Sequence, residues 1–170
     1  MKPARIGFGL GAAFVVSVVL SAVHPWGNPR SGAEAGTLLE GSSVPGNVRA
    51  VLAGKCSDCH SQNTRYPAYS HLAPVSWMLE HDVQEAREHM DLSRWKSMSD
   101  AERISALSRI ASEVNAGQMP PKRYVMIHRG ARLSGDEQKV IYDWARAERK
   151  RLRQEQAHRS DAATAEVTQP

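Results

Sequence analysis

Hydrophobic positions fall into two regimes along this chain. From Ile6 to Val23 they form one run of eighteen residues without a charge, rich in Val, Ala, Leu and Gly. As a helix that run spans roughly 27 Å, close to the hydrocarbon thickness of a bilayer. Lys2 and Arg5 precede it, and His24, Pro25, Trp26 and Gly27 close it, with Trp26 suited to a membrane interface. The basic flank predicts an inside N-terminus, with everything after Trp26 outside. The rival reading is a cleaved signal peptide. Ala33, Glu34 and Ala35 have the small-x-small form but lie far beyond the run, and Val19, Leu20 and Ser21 make a mediocre cleavage site. A buried helix of a soluble protein is the third reading. Residues 1–26 are therefore read as an anchor or signal, and either of these exports the rest.

After that run the pattern becomes periodic. Residues 27–45 are rich in Gly, Ser, Pro and Ala and read as a flexible linker. Val48, Val51 and Leu52 recur at helical spacing up to Lys55. Residues 61–73 lack a period and read as a loop. Pro74 opens a second helix with the stripe Val75, Leu79, Val83, Ala86 and Met90. Ser99 with Glu102 forms a capping box before Ile104, Leu107, Ile110 and Val114, and Gly117 stops that helix. Ser134 with Glu137 repeats the box before Val140, Ile141 and Trp144. No stretch alternates as a strand does. The fold class is all-α: four helices and long loops over residues 46–150.

Composition narrows the partners. The 170 residues are 41% hydrophobic and 24% charged, which excludes a mainly disordered polymer. Lys and Arg number 22 against 18 Asp and Glu, a net charge of +4. Residues 36–144 hold thirteen of each sign, so the surplus sits at the ends. A neutral body argues against duplex nucleic acid, which needs a concentrated cationic face. Residues 151–170 read as a basic stretch that fades from Ser160 into a disordered tail. The cations Arg146, Arg149, Lys150, Arg151 and Arg153 are read first as a solvated helix end. Contact with anionic lipid or an acidic redox partner is the sharper alternative. Aromatic residues are scarce, at 6%, so something other than rings must fill part of the core.

The chemistry lies in Cys56-Ser57-Asp58-Cys59-His60, which contains both cysteines of the chain. Two thiols three positions apart at a helix end can each add to a vinyl group of one haem, and the adjacent histidine brings an imidazole beneath the iron. This is the C-x-x-C-H attachment signature of c-type cytochromes. A thioredoxin-like pair needs a strand-helix setting that is absent, and a zinc site needs further ligands. A covalent haem also answers the aromatic shortage, because a porphyrin is a large apolar body that substitutes for core side chains.

The sixth iron ligand must come from elsewhere. Met119 is the leading candidate, in the stiff loop Gly117-Gln118-Met119-Pro120-Pro121 far downstream of the motif. His81 and His71 are the alternatives, with His89 and His128 further options, while His24 and His158 are set aside as outside the body. Arg65, Tyr66, Trp77, Tyr124 and Trp144 are candidates to line the pocket or donate to haem carboxylates. Arg65 leads among them, because its planar fork suits a carboxylate.

The segment Cys56 to Pro67, then Pro74 to Trp77 and His81-Asp82-Val83, resembles the bacterial haem-binding domain family of cytochrome c-like proteins. Met119-Pro120, Tyr124 with His128, Leu133-Ser134 with Glu137, and Trp144 extend the likeness over roughly residues 25–148. The resemblance implies a helical c-type fold, exported and membrane-tethered, with His60 and Met119 on the iron. Ala68 stands where a bulky aromatic is common, and Ala86 where glycine is common.

The expected function is a membrane-tethered mono-haem c-type cytochrome that passes single electrons on the periplasmic side of the inner membrane. Its expected partners are exported redox proteins. Methionine sulfur on iron favours the ferrous form and raises the potential. No paired carboxylates or nucleophile-base set suggests an enzyme. The rivals are a haem-based gas or redox sensor, and a peroxidase-like enzyme with an open iron face and His71, His81 or His128 as distal acid-base.

Overall fold

The computed structural model describes residues 3–28 and 38–167, with side chains described over 9–28 and 38–164. Seven α-helices are present among these residues: α1 (Pro3–Leu20), α2 (Gly46–Lys55), α3 (Ser57–His60), α4 (Val75–His89), α5 (Asp100–Asn115), α6 (Lys122–Ile127) and α7 (Gly135–Val167). Single 3₁₀ turns cover Ala68–His71, Leu92–Ser97 and Arg129–Ala131, and no described residue lies in a strand. The all-α expectation holds. The helix count of the body does not, because α3 and α6 are too short to display an apolar stripe.

The core is built where the stripes are longest. Leu107, Ile110, Ala111 and Val114 of α5 are buried with Ile141, Trp144, Ala145 and Leu152 of α7, and α2 adds Val48 and Leu52. Both capping boxes form. Ser99 Oγ accepts from the Glu102 amide while the Glu102 carboxylate accepts from the Ser99 amide, and Ser134 and Glu137 do the same at the head of α7. Gly117 ends α5 at φ 64°, where its amide reaches the Val114 carbonyl. That left-handed turn sends the chain back toward α6, and a side chain there would be strained.

Three expectations about the ends change. Among the described residues no helix is long and apolar enough to cross a membrane. The helix stops at Leu20 instead of running to Val23, because the residues beyond it turn to α4 and its approach. Ser17 Oγ donates to the Ala73 carbonyl, Ser21 Oγ accepts from the Ala73 amide, and Trp77 Nε1 donates to the Val23 carbonyl. His24, set aside from sequence, places Nδ1 2.9 Å from Oε1 of the fully buried Glu80. The expected linker is only partly tested, since residues 29–37 lie outside the described ones. Within it Leu39 is fully buried in the core, its amide bonded to the Leu92 carbonyl. The expected disordered tail is helical to Val167, and residues 168–170 lie outside the described ones. Leu152 buries against the core, Arg151 pairs with Glu148 and Glu155, and Arg159 reaches Asp100 at the head of α5. Tertiary contact of this kind, not propensity alone, holds a helix end in place.

Candidate cofactor site

The two cysteines bracket a tight helical turn. Cys56 separates α2 from α3: its amide donates to the Leu52 carbonyl, and its carbonyl accepts from the Cys59 and His60 amides. This turn brings both sulfurs and the imidazole into one short arc. Neither cysteine is in a disulfide. Burial pushes the Cys56 thiol up to about 12, with Cys59 adding to the effect. Burial, then the charges of Asp58 and Asp82, pushes Cys59 up to about 11. Both are neutral thiols near pH 7, unlike the depressed thiolates of redox-exchange motifs.

His60 is held from α4. Its Nδ1 lies 3.1 Å from both the Ala86 and the Met90 carbonyl oxygens. The Ala86 carbonyl already accepts from the Met90 amide, so His60 uses its second lone pair, while the Met90 carbonyl lies at the C-cap of α4. The two bonds place the proton on Nδ1 and leave Nε2 with its lone pair. Burial lowers the pKa of the ring more than the carbonyls raise it, so the ring stays neutral. A neutral imidazole whose far nitrogen donates to backbone is the form that ligates a metal.

A cavity of about 180 Å³ adjoins the motif, lined by Asp58, Cys59, Val83, Tyr69, Tyr124 and His128 among others. His128 Nε2 is 2.7 Å from Tyr69 Oη, and its ring stacks on Tyr124 at 4.2 Å. Its Nδ1 is buried with no partner. Burial and the Asp58 charge push the Tyr124 phenol up to about 12.

The sequence candidates divide sharply. Tyr124 and Arg65 line the cavity, but Asp58 takes the Arg65 guanidinium through two bonds of 3.1 Å each. Trp77 faces the α1 end instead. Met119 is exposed between α5 and α6 and does not line the cavity. His71 is exposed, and His81 lies edge-on to Trp26 with its ring centroid 5.4 Å away. Trp144 is buried in the core with Nε1 unpartnered, and Cys56 packs on that same core. Tyr69 and the Asp58–Arg65 pair were missed from sequence. Opposite charges seven positions apart gave a faint signal for the pair; Tyr69 gave none.

Residues 15–147 match the family model described as haem-binding domain. The chain belongs to that family. Among curated proteins, this haem-binding domain protein is similar to the cytochrome c peroxidase Ccp of Escherichia coli (strain K12), 24% identical over 119 residues. The match covers 68% of this chain and 25% of that peroxidase, so the chain spans about a quarter of the relative's length. No solved structure matches the chain.

The residues present fit a haem. Two neutral thiols stand at C-x-x-C spacing, the adjacent imidazole offers Nε2, and the buried Nδ1 of His128, on the cavity wall, is without a protein partner. Buried polar atoms are usually satisfied, so orphans of this kind gather where a further group belongs.

Proposed function

We propose that this haem-binding domain protein is a mono-haem c-type cytochrome that carries single electrons, tethered to the outer face of the inner membrane. The observation that carries the reading is His60: its Nδ1 is fixed by two backbone carbonyls, and Cys56 and Cys59 precede it on the same hydrogen-bonded turn. Cys56 and Cys59 would hold the haem through thioethers, and His60 Nε2 would bind its iron. When bound, the haem supplies one-electron exchange between ferric and ferrous iron. The protein orients the imidazole from α4, supplies aromatic cavity walls through Tyr124 and Tyr69, and adds the apolar Val83 to that lining. Met119, exposed on the loop between α5 and α6, would supply the remaining iron ligand. Exported redox proteins are the partners in this reading. The tether rests on the charge-free Ile6–Val23 run and on the exposed Leu10, Phe14, Val15 and Val19 of α1.

His128 favours a second reading, peroxide reduction. Its buried Nδ1 is unpartnered, its ring lines the same cavity as Cys59 and would supply an acid-base group there, and the similar Escherichia coli protein is a peroxidase by name. One preparation tests both readings, made in a host that attaches haem c. The expected product carries the mass of one haem, lost when Cys56 and Cys59 become serine. The expected spectrum is low-spin and changes in Met119→Ala. A high-spin spectrum, with peroxide-driven dye oxidation that disappears in His128→Gln, would replace the carrier by the peroxidase.

A further inference from the structure

The cations of α7 do not all behave alike. Lys139 pairs with Asp143, Arg151 with Glu148 and Glu155, and Arg159 with Asp100. Arg146, Arg149, Lys150 and Arg153 instead line one shallow groove of about 610 Å³, with Ala147, Gln154 and Ala157 completing it. No carboxylate lines it. Positions 146, 149, 150, 153 and 157 share one face of a helix, so the four charges repel across one or two turns. Two of them are also positioned in advance. Arg149 donates to Ser108 Oγ of α5 at 3.2 Å, and Arg146 donates to Tyr142 Oη at 2.8 Å with its guanidinium over that ring. Holding guanidiniums in place before binding lowers the entropy cost of an incoming anion.

We propose that this groove docks an acidic segment of a partner protein. The groove runs from Arg146 to Ala157, about 16 Å at the helical rise, long enough for several carboxylates of one polypeptide. A lipid surface fits poorly. Helices that lie in a membrane interface bury an apolar face beside their cations. No large hydrophobic side chain of α7 is exposed among the described residues. The groove also belongs to the helix layered on α5, whereas the α1 end bonds to the Ala73–Glu80 stretch. The partner is recognised by its carboxylates, and the inference does not depend on the haem.

The test titrates the full haem-loaded chain with poly-L-glutamate at low and at physiological salt. Parallel titrations use phosphatidylglycerol vesicles and a duplex DNA oligonucleotide. Arg146→Gln/Lys150→Gln/Arg153→Gln is the comparison variant, with Arg149 retained for its bond to α5 and circular dichroism confirming the fold. The expected result is polyglutamate binding that weakens with salt and is roughly tenfold weaker in the variant. The visible spectrum should be unchanged. Absence of polyglutamate binding at low salt, or equal binding by the variant, overturns the proposal. Tighter groove-dependent binding to vesicles or to DNA overturns it in favour of that ligand. A failed haem assignment would appear in the spectrum alone and leave these affinities untouched.

Discussion

The α5–α7 layer and the α3–α4–α6 layer solve the burial problem in different ways. The first is dry: Leu107, Ile110, Val114, Ile141 and Ala145 are buried against one another, and its helices begin with complete capping boxes. The second is more polar. It buries Ser76 Oγ, Glu80 Oε2 and His128 Nδ1 without partners, against Trp144 Nε1 alone in the first, and it lines a cavity. The difference separates two jobs. One layer folds on apolar area, while the other carries most of the unpartnered buried polar atoms, one of them, on His128, at the cavity wall.

If the dry layer is the source of stability, the largest effect should come from Trp95→Ala. Trp95 lies in the 3₁₀ segment Leu92–Ser97, is 2% exposed, and is buried in the same cluster as Leu107 of α5 and Ile141 of α7. Emptying its place should cost about 3–5 kcal/mol, with or without haem. Denaturant unfolding measures this directly. Hydrogen exchange on the Cys56→Ser/Cys59→Ser chain gives the complementary readout: α5 and α7 should keep their slow amides while α3, α4 and α6 exchange faster. Equal protection of both layers would erase the distinction.

What the sequence made legible follows the same division. The dry layer was readable because stripes, caps and the Gly117 stop each have a local cause that acts over four to seven residues. The attachment motif was readable because it is contiguous. His128 against Tyr69 was not, since 59 positions separate them and neither carries a local signal. Leu39 was hidden inside a Gly- and Ser-rich stretch whose composition argued for a linker, although its side chain fills a core position. His24 looked peripheral because its partner, Glu80, lies 56 positions away on another helix. The C-terminal helix outran its composition because ion pairs and Leu152 add tertiary contact to local propensity.

A smaller effect separates the layers by pH. In the haem-free chain the Cys56 and Cys59 thiols are pushed above their ordinary value of 9.0, to about 12 and about 11. The unfolded chain therefore releases protons first as pH rises past 9. Stability contributed by the buried neutral thiols is complete below pH 9 and is lost toward pH 11–12, at most about 1.4 kcal/mol per pH unit per thiol. On the acid side, His60 is held neutral by burial below its ordinary value of 6.5. Its contribution is complete above that pH and falls as pH drops through the lowered pKa. Urea midpoints from pH 5 to 11 measure both limbs. The alkaline loss should shrink in Cys56→Ser/Cys59→Ser, leaving the part that the raised Tyr124 phenol contributes above pH 10, and should persist in full in Trp95→Ala.

The smallest expected effect is at Asp58. Its carboxylate holds the guanidinium and the backbone amide of Arg65, yet the Arg65 side chain is 72% exposed. A pair this open is screened, and Asp58→Asn should cost less than about 1 kcal/mol, a difference that 1 M salt removes. The same charge faces inward as well, where it raises the Cys59 thiol and the Tyr124 phenol. The substitution should therefore leave stability nearly unchanged while moving both titrations downward, so that Cys59 alkylates faster at a given alkaline pH. An unaltered alkylation profile would mean that the Asp58 charge is spent wholly on Arg65 at the surface, and that the cavity is insulated from its own rim.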